Sequence, residues 1–127
     1  MKVQDFVHQI KGRLIVSCQA LPETPLDNPE ILAAMAKSVE LGGASGLRAQ
    51  GARNISAIRE VSKLPIIGLY KTLNRDETFI TPHFENAKEI AAAGADIIAL
   101  QATNPRLGDC DDLPTLTSKI HTQLGLG

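Results

Sequence analysis

LGGASGLRA at Leu41–Ala49 and AAGADIIAL at Ala92–Leu100 share one order: a helix end, a glycine, an alanine and then an apolar run. They lie about fifty residues apart, the mark of a weakly repeated helix-to-strand unit. Ahead of the first copy, Asn28 is placed to cap a helix and Pro29 fits the first turn, where no N–H is needed. Ile31, Leu32, Met35 and Val39 line one face of that helix, and Gly42-Gly43 supplies a left-handed stop. Gly46–Ala49 follows as a short strand.

The same alternation extends in both directions. Val3, Phe6, Val7 and Ile10 recur at helical spacing and Gly12 offers a stop, which predicts a short opening helix. LIVSCQA at Leu14–Ala20 is a compact run with β-branched residues, closed by the Pro22 and Pro25 loop, and predicts a buried strand. Downstream, Ile55, Ile58 and Val61 mark a helix over Asn54–Val61, and Pro65 introduces the strand IIGLY, Ile66–Tyr70. Lys71–Ile80 reads as a longer polar connection. Thr81-Pro82 reads as a cap and first-turn proline for a helix carrying Phe84, Ala87, Ile90 and Ala91, ended by Gly94. Asp96–Gln101 is then a fourth strand. Leu113, Leu116, Ile120 and Leu124 mark a last helix that finishes at Gly125.

A helix followed by four strand–helix units with near-continuous apolar strands implies a parallel sheet with right-handed crossovers. Such a chain is either a small open α/β sheet or half of an eight-unit barrel, whose full form takes about 250 residues. The 127 residues suffice for one domain that buries about two-thirds of its unfolded surface. A single domain over 1–127 is expected.

Composition narrows the function classes. Thirteen Lys and Arg against fourteen Asp and Glu, with one Tyr and three Phe for stacking, argue against a nucleic-acid partner. The apolar runs are far shorter than the roughly 18 residues of a membrane span. MKVQDFVHQIKG lacks the apolar centre of a signal peptide, and two cysteines are too few for a disulfide framework, so a cytoplasmic setting is expected. Cys18 reads as a small buried apolar residue. His8, His83 and His121 share no spacing, and Asp109, Asp111 and Asp112 lack the glycine and later glutamate of a calcium loop. No metal or cofactor is expected. GGASG precedes a strand instead of following one, so it is not a phosphate fingerprint.

Ligands of parallel α/β folds collect at the carboxyl ends of strands, where Gln19, Arg48, Lys71 and Gln101 stand. Alternation puts Gln19 with Ser17 and Ile15, and sets Leu14, Val16 and Cys18 opposite, toward the helices. Gly46 goes with Arg48, and Ala99 with Gln101; the third strand does not discriminate. A lysine partly withdrawn from water beside a second cation is suited to take or return a proton. An arginine fork can hold a carbonyl, carboxylate or phosphate, and a glutamine can donate to and accept from sugar hydroxyls. Each position could equally be an ordinary polar residue leaving a strand.

GRLIVSCQALPETPL, AAMAKSVELGGASGLRAQG, IREVSKLPIIGLYK and AGADIIALQAT together resemble the N-acetylmannosamine-6-phosphate 2-epimerase family, from about Gly12 to Thr103. The resemblance implies the (βα)4 half of a TIM (β/α)8 barrel behind a short N-terminal helix. The implied chemistry interconverts N-acetylmannosamine 6-phosphate and N-acetylglucosamine 6-phosphate in amino-sugar and sialic-acid catabolism. It makes Lys71 the catalytic lysine and Gln19, Arg48 and Gln101 substrate contacts, with a glutamate from a later strand as the second proton carrier. Gln101 stands where the family usually has an aspartate, in QAT instead of DAT. The resemblance covers an N-terminal half, and the C-terminal half, with the glutamate and the phosphate loops, is expected to be absent. Self-association or a separate second-half chain is the expected partner, and an inactive remnant or a half-barrel assembly module is the alternative function.

Overall fold

A computed structural model describes residues 1–74, 77–103 and 110–126. Helix α1 (Val3–Ile10) precedes strand β1 (Ile15–Ser17), and helix α2 (Pro29–Leu41) leads to β2 (Gly46–Gln50). Helix α3 (Ala52–Val61) leads to β3 (Ile66–Leu69), and β4 (Lys71–Asn74) and β5 (Glu77–Ile80) follow. Helix α4 (Phe84–Ala92), β6 (Ile97–Ile98), α5 (Leu113–Lys119) and a π-helical continuation, Ile120–Leu124, complete the order. None of the described helices is long and apolar enough to cross a membrane.

The main sheet runs β1-β2-β3-β6, every pairing parallel, as expected from the alternation. Register places Ser17, Arg48, Ile67 and Ile97 in one row. Side chains alternate along a strand, so Val16, Leu47, Ile66, Gly68 and Ile98 point the other way. There they meet Leu32, Ala36, Ile55, Ile58 and Ile90 of the helices, in one core. Cys18 lies fully buried in that core. Helices α2, α3 and α4 therefore cover one face, and the row of Ser17, Arg48, Ile67 and Ile97 looks away from them; α1 reaches that other face at its amino end, where a Cβ on Gly46 would lie 3.4 Å from Ile10 Cγ2. The third strand is thereby resolved: Ile66 and Gly68 face the helices.

Gly68 is the close-approach point. A Cβ there would collide with Ile90 Cγ2 and lie 2.6 Å from Ala95 Cβ, so only glycine lets α4 pack directly on β3.

Helix starts follow the expected chemistry at α2, where Asn28 Oδ1 accepts from the amides of Glu30 (2.8 Å) and Ile31 (3.3 Å). The buried face differs from the expected one: Leu32, Ala33 and Ala36 are buried, Met35 and Val39 pack at its margin, and Ile31 is exposed. On α1 only Phe6 is buried, while Val3 and Val7 are exposed.

Lys71–Ile80 is not a polar connection. It is an antiparallel hairpin in which Lys71 pairs Ile80 and Thr72 pairs Phe79, and Phe79 is buried. Thr81 is not the helix cap either. His83 holds that position, its N–H donating to Asn86 Oδ1 at 3.1 Å. The hairpin also explains why β6 is shorter than expected. The Thr81 N–H donates to Tyr70 O (2.7 Å) and the Gln101 N–H to Ile80 O (3.0 Å), so Ile80-Thr81 enters between the ends of β3 and β6.

Candidate active site at the strand ends

Ser17 and Arg48 are register partners on the face turned from the helices, and Gln19 joins them: its Nε2 donates to Ser17 Oγ at 2.7 Å. Gln19 Oε1 is buried and has no hydrogen-bond partner among the described residues. A buried acceptor left unpaired costs free energy unless something outside this chain satisfies it. Arg48 is half-buried, and its side chain makes no hydrogen bond or ion pair among the described residues. An amide with a free acceptor beside an open guanidinium can hold a polar, anionic or carbonyl-bearing ligand.

Lys71 opens the hairpin directly after β3. It lines a cleft of about 290 Å³ with Asp27, Gln50, Arg53, Tyr70 and Glu89, at the N-terminal ends of α2 and α3. Gln19, Arg48 and Gln101 do not belong to that lining. The structure therefore ties Gln19 to Ser17, the register partner of Arg48, and gives Lys71 a cleft of its own. Gln50 connects the two, since it shares the face of Arg48 on β2 and lines the cleft. Sequence reasoning missed it by ending the strand at Ala49; one more residue of alternation from Arg48 would have found it.

Gln101 turns toward the hairpin. Its Oε1 accepts from Ile80 N–H at 3.3 Å, and its Nε2 donates to Thr103 Oγ1 at 3.1 Å. It thus touches the residue paired with Lys71.

Asp111, Asp112 and His83 have structural roles. Asp112 caps α5 by accepting from Thr115 N–H (3.1 Å), and Asp111 accepts from Phe84 N–H (2.7 Å) and lies 3.1 Å from His83 Nδ1. The Phe84 amide first, and then His83, hold the Asp111 carboxyl below the usual carboxylate range. Asp109 lies outside the described residues. Burial pushes the Cys18 thiol up, away from the reactive thiolate. Among the described residues, no three His, Cys, Asp or Glu side chains gather as a metal site would require.

A family model described as "Putative N-acetylmannosamine-6-phosphate epimerase" matches residues 32–126. The chain belongs to the N-acetylmannosamine-6-phosphate epimerase family. Within that family, a "Putative N-acetylmannosamine-6-phosphate 2-epimerase" of Thermosynechococcus vestitus is 49% identical over 118 residues, covering 92% of this chain and 51% of that protein. The "Bifunctional enzyme NanE/NanK" of Brucella melitensis is 44% identical over 105 residues, 82% of this chain and 20% of that protein. Among solved structures, the N-acetylmannosamine-6-phosphate 2-epimerase of Clostridium perfringens superposes with a TM-score of 0.86 at 38% identity, over 94% of this chain and 52% of that one. The chain thus spans about half the length of the single-function epimerases it matches. The parallel four-stranded sheet, with α2, α3 and α4 packed on one face, accords with half of a barrel of that family.

Proposed function

We propose that residues 1–127 form one unit, the N-terminal half of a (β/α)8-barrel epimerase that interconverts N-acetylmannosamine 6-phosphate and N-acetylglucosamine 6-phosphate. The observation that carries this is the superposition on the Clostridium perfringens epimerase over 94% of the chain at 38% identity. Lys71 is the proton carrier, and Gln19 and Arg48 hold the substrate. Gln101, whose Oε1 accepts from the N–H of Ile80 opposite Lys71, is a further substrate contact.

The chemistry suits these groups. Opening the sugar ring places an aldehyde beside C2, and removal of the C2 proton leaves an enolate. A cation beside the enolate oxygen stabilises it, and Arg48 is the open guanidinium on this face. Return of the proton to the opposite side of C2 inverts that carbon. Two carriers on opposite sides are needed, so a second acid–base group comes from the other half of the barrel.

A complementary half-barrel or a second copy of this chain is the proposed partner of this sheet. Among the described residues β1 and β6 are the edge strands of the sheet, and a complementary sheet would pair with their outer edges. The expected setting is the cytoplasm, where charge retains phosphorylated sugars, with neither nucleic acid nor membrane as a partner.

The test mixes the purified chain with a polypeptide covering the part of the Clostridium perfringens enzyme that this chain does not match. Epimer interconversion, followed by NMR, is expected in the mixture and to be at least about 100-fold slower with either piece alone. A mixture in which both pieces are folded and associated but no interconversion occurs would contradict the proposal.

A further inference from the structure

Thr81 is the one described residue other than glycine, besides Glu23, with a positive φ, here +48°. For a β-branched residue this left-handed backbone is strained, and such strain persists only where the surroundings enforce it. The surroundings do so. Thr81 is fully buried. Its N–H donates to Tyr70 O at 2.7 Å, and its Oγ1 accepts from Tyr70 N–H at 3.1 Å. The hydroxyl hydrogen then goes to Ala99 O at 2.7 Å. One side chain thereby ties three segments: the end of β3, the end of β5 and the chain leaving β6.

Thr81 engages both backbone polar groups of Tyr70, the residue before Lys71. It also follows Ile80, the residue paired with Lys71 across the hairpin. The backbone of Lys71 is therefore bounded on two sides by residues that Thr81 or its neighbour fixes. Glycine would accept the backbone without strain but would lose both side-chain hydrogen bonds, and valine would keep the shape but lose the hydroxyl. Serine would keep the hydroxyl.

We propose that Thr81 is a positioning residue for Lys71: its hydroxyl clamps the hairpin between β3 and β6 and so sets where the lysine amine is presented. This rests on the assignment of Lys71 as the proton carrier. A misplacement on the order of 1 Å costs a proton transfer far more than it costs substrate binding.

The test uses Thr81→Ser, Thr81→Val and Thr81→Gly in the full chain, with two readouts. In amide NMR spectra, the serine variant should match wild type. The valine and glycine variants should move the resonances of Tyr70, Lys71, Ile80 and Ala99, leave β1 and β2 in place, and speed exchange of the Tyr70 amide at least about tenfold. In the chain completed with the complementary half-barrel, kcat for C2 proton exchange should fall at least about tenfold in the valine and glycine variants. KM should stay within about twofold, and serine should restore kcat.

Wild-type kcat in Thr81→Val or Thr81→Gly would overturn this proposal alone, as would an equal loss in Thr81→Ser. Absence of C2 exchange with the wild-type chain would overturn the epimerase assignment and this proposal with it. Should Thr81→Val fail to fold, Thr81→Gly, which relieves the backbone strain, decides between the outcomes.

Discussion

The guanidinium of Arg59 on α3 meets the carboxylate of Asp96 at 2.7 Å, just before β6. The same guanidinium donates to Gly94 O from two nitrogens (2.9 and 3.1 Å) and to Leu64 O (3.0 Å), while Asp96 also accepts from Ile66 N–H (2.9 Å). One arginine thus joins the ends of two helices to the starts of two strands. All of this lies at the amino end of the sheet, opposite the candidate site.

Arg59→Met should therefore cost stability and not chemistry. Removing it strands a partly buried carboxylate and several carbonyls, a loss of about 3 kcal/mol. Arg59→Lys should recover little of this, because an ammonium cannot reproduce the planar fork. Urea midpoints of the two variants and wild type check both statements.

Gly68→Ala tests the close approach of α4 to β3. The added methyl meets Ile90 and Ala95 on the helix side, and relieving such overpacking costs about 1–3 kcal/mol. Equilibrium denaturation should show that loss, and Ile90→Ala in the same chain should reduce the penalty of the added methyl, since it removes one of the two clashing groups.

The Asp111 carboxyl is held low by the Phe84 amide and His83, so its contribution is present above the ordinary aspartate value of about 3.9 and lost as pH falls through its lowered folded value. Because the side chain is 36% exposed, solvent screening keeps the effect below about 1 kcal/mol. Asp111→Asn should lie below wild type in stability at about pH 6, and the gap should narrow as pH falls below the ordinary aspartate value of about 3.9. Urea midpoints of the two proteins across that pH range measure this.

Much of this architecture is legible in the sequence because period-2 and period-3.6 patterns rarely conflict along the chain. The opposition of Ser17 and Arg48 to Val16 and Leu47 follows from parity alone. The hairpin is not legible in the same way. Lys71 both closes the apolar run IIGLYK and opens β4, so strand end and hairpin start merge into one string. Thr81-Pro82 carries the residue types of a helix cap, but its hydroxyl is claimed by Tyr70 and Ala99, contacts 11 and 18 residues away that no local pattern reveals. Lys71 was found from its place after a strand, whereas Arg53 and Glu89 of its cleft lie on helices, outside the strand-end rule.

The central claim is that Lys71 carries the C2 proton, and solvent-deuterium incorporation into N-acetylmannosamine 6-phosphate tests it most directly. Lys71→Met keeps the apolar stem and removes only the proton carrier. Completed with the complementary half-barrel, the wild-type chain should incorporate deuterium at C2, and the Lys71→Met chain should fall by at least about 100-fold while circular dichroism stays unchanged. Equal incorporation by the two chains would contradict the account.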